Sequence, residues 1–244
     1  MTEIVSPIRV AVEQYPNSPA IIDGKKTVLY SELLDIILNI SANLRDMNIS
    51  AGSRVAIVAE PSADYILLLL ALISYKAIAC PISTRHPNKI IEKQIDRLKP
   101  GLTITNNNIK DLLEENSNPI QLPEKWSLNN EASIIFSSGT SGNSKAIIHT
   151  LSNHYYSALG SNENIQLNDG DRWMLSLPLY HVSGMAIMYR CLLSGATTAV
   201  PPDEIELDDF IYDNKITHLT ELPVSCIETH VKFLQGILYP ESEL

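Results

Sequence analysis

The sequence predicts an α/β fold of layered β-sheets with flanking helices. Short β-prone apolar runs alternate with helical ones along the chain. An Asp23-Gly24 pair between AII and TVLY signals a hairpin. A Gly/Ser loop at residues 137–145 stands between two isoleucine-rich runs, SIIF and AIIHT. Of the 244 residues, 45% are hydrophobic and 19% charged, enough apolar material for a sizeable core and too little charge for a disordered chain.

Taken in order, Ser31 is placed to cap a helix whose apolar face is Leu33, Ile36, Ile37, Ile40, Leu44 and Met47. Arg54 to Ala59 reads as a strand. Ser62 to Tyr75 reads as a helix that is apolar nearly all round and therefore buried. A second strand follows at Ile78 to Ile82. His86-Pro87 opens an amphipathic helix that Pro100-Gly101 stops after Leu98, and Leu102 to Thr105 is a third strand. The stretch 106–130 is polar and rich in Asn, Glu and Pro, which marks a subdomain seam or a surface loop within a domain spanning 1–244. Alternation then resumes with SIIF, AIIHT, a helix from Ser152, the strand WMLSLP, a helix through Arg190, TTAV, ITHLTEL and a helix from Pro223 to Leu238.

Several function classes are disfavoured. A net charge of -10 argues against neutralising a nucleic-acid backbone. The longest apolar run, Ile66 to Ile73, is too short to span a bilayer. The N-terminus has no basic segment leading into an apolar one, so no secretory signal is expected. Cys80, Cys191 and Cys226 are far apart and make no CxxC unit, as expected for reduced thiols in a cytoplasmic protein. There is no GxSxG elbow and no HExxH pair. Asp203, Glu204, Glu206, Asp208 and Asp209, with Ile205 and Phe210 among them, read as the solvated face of a helix, and no metal ligands are assigned.

The segment Ser137-Ser138-Gly139-Thr140-Ser141-Gly142-Asn143-Ser144-Lys145 carries the sharpest chemical signal. Gly139 and Gly142 let the backbone turn tightly and aim successive N–H groups at one point. The hydroxyls of Ser137, Ser138, Thr140 and Ser141 add donors suited to phosphate oxygens, and Lys145 adds a mobile cation. A triphosphate needs that set of groups. The loop is not of the Walker A type, which has Gly immediately before Lys and opens a helix; here Ser144 precedes Lys145 and a strand follows. Alone, such a loop is also what a Gly/Ser surface turn looks like. The flanking strands, the single Lys and a second motif downstream favour the phosphate reading.

IIFSSGTSGNSKAIIHT resembles the phosphate-binding signature of the AMP-forming synthetase family, whose form is Ser-Gly-Thr-Thr-Gly, one variable residue, Pro, Lys, Gly. Gly139, Thr140, Gly142 and Lys145 match it. Ser141 keeps the hydroxyl of the usual Thr, Ser144 replaces Pro, and Ala146 replaces Gly. The second motif, Leu177-Pro178-Leu179-Tyr180-His181-Val182-Ser183-Gly184, is similar to the family's next one. The resemblance implies that His181 lines the acyl pocket and is the catalytic candidate, with Ser183 and Gly184 beside it. A lone His is equally a hydrogen-bonded structural residue. NHYYSALGS, DRWMLSLPLYHVSGM and Arg190 look most like the branch of the family that joins 2-succinylbenzoate to CoA in menaquinone synthesis. A dicarboxylate calls for a cation, for which Arg190 or Arg172 is the candidate; each is otherwise a surface or helix-end Arg.

The resemblance implies the N-terminal part of the large domain of an adenylate-forming ligase, with a small carboxylic acid, ATP, Mg²⁺ and CoA as ligands. The family's Tyr-Gly-x-Thr-Glu and Thr-Gly-Asp motifs and its C-terminal domain with an adenylating Lys do not occur before Leu244. The expectation is therefore that the C-terminal domain is absent and that ATP and Mg²⁺ are held weakly or not at all. The open readings are a chain completed by a separate C-terminal ligase chain, an inactive remnant, and a non-catalytic binding module. Residues 1–244 by themselves are expected to release no useful amount of pyrophosphate from ATP with 2-succinylbenzoate. A robust pyrophosphate-exchange signal from the purified chain would contradict that.

Overall fold

The computed structural model describes residues 2–118, 120–137, 144–202 and 204–220. Strand β1 (Glu3–Val5) leads into helix α1 (Pro7–Gln14), whose Pro7 sits in the first turn, where a missing N–H costs nothing. Strands β2 (Pro19–Ile22) and β3 (Thr27–Leu29) pair antiparallel and form the hairpin expected at Asp23-Gly24. Asp23 Oδ1 closes the turn by accepting from the backbone N–H groups of Lys25 at 3.0 Å and Lys26 at 2.9 Å. Gly24 takes a φ of 75°, which a side chain would resist.

Helix α2 (Tyr30–Asp46) corrects one expectation, because Ser31 does not cap it. The helix starts at Tyr30, two residues earlier than a Ser31 cap would place it, and the Glu32 carboxylate accepts from the Leu29 N–H at 2.6 Å, satisfying a terminal donor in place of a serine hydroxyl. Leu33, Ile37, Ile40 and Leu44 are buried, as their spacing requires, whereas Ile36 is half-buried and Met47, just past the end, is exposed.

The next elements alternate strictly: β4 (Arg54–Val58), α3 (Ala63–Ser74), β5 (Ile78–Pro81), α4 (Asn88–Leu98) and β6 (Leu102–Thr105). Ser62 caps α3 by accepting from the Tyr65 N–H at 3.2 Å. Lys99, at φ 47°, ends α4 in a left-handed turn ahead of Pro100.

The polar stretch 106–130 has its own structure, a 3-10 turn (Lys110–Leu113) and strand β7 (Lys125–Ser127), which pairs antiparallel with β1. It buries Leu112, Leu122 and Trp126. Its polar groups bind those of α2. Asn39 Nδ2 donates to Glu114 O at 2.8 Å, Asn43 Nδ2 donates to Leu112 O at 2.9 Å, and Asn116 Nδ2 donates to Asn43 Oδ1 at 2.7 Å.

Strand β8 (Glu131–Phe136) then lies parallel to β5, and β9 (Ala146–Thr150) returns antiparallel beside it. The resulting sheet has the order β6-β4-β5-β8-β9. Strand β9 forms its edge, and Ile147 and Ile148, on opposite faces, are 45% and 47% exposed. Helix α5 (Leu151–Asn164), strand β10 (Arg172–Met174), helix α6 (Val182–Ser194), strand β11 (Thr197–Ala199) and helix α7 (Leu207–Asp213) complete the described chain. A second sheet has the order β10-β11-β2-β3, so the hairpin at the start pairs with strands from the far end of the sequence. The helix expected over 223–238 lies outside the described residues. Among those described, no helix is long and apolar enough to cross a membrane.

One hydrophobic core joins the two sheets through α1, α2, α3, α5 and α6. A smaller one lies on the other face of the five-stranded sheet, where Ile91, Ile95 and Leu98 of α4 cover Ala56, Ile78 and Ile134. Each fully buried Leu or Ile contributes about 1.5–3 kcal/mol, and in α3 every residue but Asp64 is buried. Tyr30, at the head of α2, ties this core to the second sheet. Its hydroxyl lies within hydrogen-bond distance of Ala196 O at 2.7 Å and Cys191 O at 3.1 Å. Tyr30→Phe takes this donor from the buried Ala196 O, while Cys191 O keeps the Ala196 N–H at 3.1 Å, and it should lower the unfolding free energy by about 1–3 kcal/mol, read from urea unfolding with an unchanged m-value.

Candidate functional site

In an open α/β sheet, ligands bind beyond the carboxyl ends of the parallel strands. Strands β4, β5, β6 and β8 all run in one direction. So do β2, β10 and β11 of the other sheet. The residues that follow both sets line one cleft of about 620 Å³. Glu60 to Ser62 follow β4, Arg85 follows β5, and Asn106 follows β6. Asp23 and Lys25 follow β2, Ser176 to Pro178 and Tyr180 follow β10, and Val200 to Pro202 follow β11.

Lys145 and Ser137 stand at the same edge of the five-stranded sheet, because β8 ends there and β9 begins there. Ser137 N donates to Lys145 O at 2.8 Å, and Lys145 N donates to Ser137 Oγ at 3.0 Å. This pinch closes the hairpin neck and leaves the Lys145 side chain exposed. The loop thus lies between two strands and Lys145 is in no helix, as the residues on both sides predict. On the outer side, Arg97 at the end of α4 donates to Ser144 O at 2.6 Å. Ser138, Gly139, Thr140, Ser141 and Gly142 lie outside the described residues.

The second motif leaves the cleft wall at Leu177 and Pro178 and enters α6. His181 is the residue before the first turn of α6, is exposed, and has its ring 4.8 Å from that of Tyr180, a cleft residue. Ser183 is exposed one residue into the helix. Gly184 is buried against the chain that precedes it. A Cβ there would lie 2.2 Å from Pro178 O and 2.6 Å from Leu177 O. The helix can fold back onto the cleft-lining segment only because this residue has no side chain.

Arg190 is the correction. It is 6% exposed and two turns and more along α6 from His181. Its guanidinium donates to Asn162 Oδ1 at 3.0 Å and to Ile165 O at 3.4 Å, and it lies 4.0 Å from the centre of the Trp173 ring. Those contacts join α5, α6 and β10 and leave it no opening toward a substrate carboxylate. Arg172 is likewise engaged, donating to Asn214 O at 2.9 Å.

The cations that do face the cleft are Lys25, Arg85 and Lys110. Lys25 pairs with Glu204 at 3.4 Å. Among the described residues, the side chains of Arg85 and Lys110 have no acidic partner. Sequence reasoning passed over both, although the residues just after a parallel strand are where such groups are to be sought. Among the described residues, no cluster of His, Cys, Asp and Glu could hold a metal ion.

A cleft at the strand ends of two sheets, with the two motifs beside it, is matched by a known class: residues 8–229 match the AMP-binding enzyme family, to which the chain belongs. Within it, the chain is similar to 2-succinylbenzoate–CoA ligases, 27% identical over 234 residues to that of Listeria monocytogenes. That alignment covers 91% of this chain and 49% of the relative, so the chain spans about half the length of the curated relatives it matches. Solved structures agree on the fold. The o-succinylbenzoate CoA synthetase of Bacillus subtilis, in complex with the acyl-adenylate intermediate OSB-AMP, superposes with a TM-score of 0.85 at 21% identity, covering 95% of this chain and 65% of that one. Escherichia coli MenE with a bound analogue of OSB-AMS gives 0.80 at 25% identity, covering 94% and 52%.

Gly184→Ala should therefore be far worse than an alanine in a helix normally is. Overpacking against two carbonyl oxygens should cost about 1–3 kcal/mol, visible as a lowered thermal midpoint. An unchanged midpoint would show that the Leu177–Pro178 segment does not sit against α6 as described.

Proposed function

We propose that the chain forms the phosphate-gripping and acyl-side portion of an ATP-dependent, AMP-forming acid–CoA ligase whose acid is 2-succinylbenzoate. The observation that carries the reading is the placement of Lys145 and His181. Two motifs separated in sequence flank one strand-end region, one at the neck of the β8–β9 hairpin and one at the head of α6. The similarity to 2-succinylbenzoate–CoA ligases supports the choice of acid.

In such a ligase the acid's carboxylate attacks the α-phosphorus of ATP. The bond to pyrophosphate breaks, and the thiol of CoA later displaces AMP from the acyl-adenylate. The residues of this chain serve the first step. Lys145 offers a positive charge where charge gathers on the departing pyrophosphate, and the Ser137 hydroxyl with the hydroxyl and N–H groups of Ser138 to Ser141 offer donors to its oxygens. His181 and Ser183, both exposed at the head of α6, border the acyl group, and Gly184 seats that helix against the cleft wall. Arg85 and Lys110 replace Arg190 as the cations for an anionic substrate. The domain spans 1–244, with ATP carrying Mg²⁺ into the site.

Lys145→Ala should weaken binding of ATP–Mg²⁺ by about 1–3 kcal/mol in a calorimetric titration, the range for losing a hydrogen bond to a charged group. It should leave the thermal midpoint unchanged, since the side chain is exposed. Equal affinities in the wild type and the variant would make the loop a relic and favour a non-catalytic module. For the acid, a non-hydrolysable acyl-adenylate analogue of 2-succinylbenzoate should bind more tightly than its benzoate counterpart. No preference would remove the dicarboxylate from the reading.

A further inference from the structure

His154 of α5 is 5% exposed and contacts β8, β9 and α6. Its Nε2 is hydrogen bonded to the Ser133 Oγ of β8 at 2.8 Å, and Ser133 is fully buried. Its ring stacks on Tyr189 of α6, with centroids 4.9 Å apart and planes 4° from parallel. The ring of His149 in β9 lies 5.5 Å away. Strand β8 ends at Phe136 and leads into Ser137, β9 starts just after Lys145, and α6 starts just after His181.

We propose that His154 is a positioning residue that sets the β8–β9 hairpin, whose neck carries Ser137 and Lys145, against the body of helix α6, whose first residue follows His181. It does so through a hydrogen bond to one element and a stacked ring on the other. Neither contact alone would fix both. A hydrogen bond leaves the tilt of α6 free, and a stack leaves β8 free to slide. The inference deepens the ligase reading, since it concerns the same two motifs.

The arrangement needs a neutral imidazole. Burial, with the neighbouring His149, pushes the His154 pKa down to about 4. The titratable groups facing it are His149 from β9, whose own pKa burial lowers, and Tyr189 from α6, whose hydroxyl burial holds protonated. Ser133 from β8 is uncharged. The unfolded chain binds a proton near pH 6.5 that the folded chain refuses. The stabilisation from a neutral His154 is therefore complete above pH 6.5 and is lost as the pH falls toward 4.

The experiment is amide hydrogen exchange and ATP–Mg²⁺ titration on the wild type, His154→Phe, His154→Gln and Ser133→Ala, between pH 5 and 8. His154→Phe keeps the ring and loses the hydrogen bond. His154→Gln can still bond Ser133 but cannot titrate. At pH 7.5, His154→Phe and Ser133→Ala should raise exchange in 131–137, 146–150 and 182–186 together, leaving α4 protected, and should weaken ATP binding roughly 3- to 30-fold. His154→Gln should recover most of that affinity, and its thermal midpoint should fall less between pH 7.5 and 5 than that of the wild type, which loses the contribution of a neutral His154 over that range. A uniform rise in exchange across the molecule, or none, would overturn the inference, because a residue that only adds stability loosens everything equally. If His154→Phe does not fold, Ser133→Ala is read the same way. If the wild type binds no ATP while the paired exchange response is present, the positioning role stands and the ligase reading falls.

Discussion

Helix α3 has no polar side to give to water. From Tyr65 to Ser74 every residue is buried, so the helix must be enclosed on all faces. One amphipathic neighbour cannot do that. It packs on β5 of the five-stranded sheet, on α2 and on the 3-10 turn at Lys110–Leu113, and this requirement draws the polar stretch 106–130 into the body of the protein. The layering follows. With α3 inside, the second sheet and α6 close over the core from the other side, and the parallel strands of both sheets open onto the same cleft. The site is a consequence of how that helix is hidden.

Much of this was legible. The hairpin at Asp23-Gly24 is a local matter of backbone conformation, and it formed where two residues demanded it. The strand–loop–strand arrangement around Lys145 was written in the β-branched runs on each side. The parts that were not legible depend on groups far apart in sequence. The stretch 106–130 read as a subdomain seam or a surface loop because its Asn and Glu residues are polar. Their partners are Asn39 and Asn43, polar residues set among the apolar positions of α2, which no local pattern connects to it. The Ser31 cap failed because Glu32 satisfies the Leu29 donor with a longer side chain.

The site divides in the same way. Motif residues chosen by type and order fell at one sheet edge and one helix head, because motif spacing reflects the connection between elements. Arg190 was chosen by charge alone, and charge says nothing of direction. Its guanidinium turns onto Trp173 and Asn162. Arg85 and Lys110 had no sequence signature beyond following a strand or a short turn, and only the convergence of two sheets brings them to the same space. Tyr30 shows how close the coupling between those sheets is, since one hydroxyl reaches two carbonyls across 161 and 166 residues of chain.

The edge strand β9 has a practical bearing on handling. Among the described residues β9 pairs on one side only, and an edge strand with isoleucines about half exposed on both faces can template pairing with another copy. What opposes this is mutual repulsion, from a net charge of -10 at neutral pH. That repulsion vanishes near pH 5, the isoelectric point of the sequence. Acidic buffers and high salt should therefore promote sheet-to-sheet association and precipitation. A lysine in place of Ile148 would act as a gatekeeper at that edge without touching the hairpin neck that holds Ser137 to Lys145.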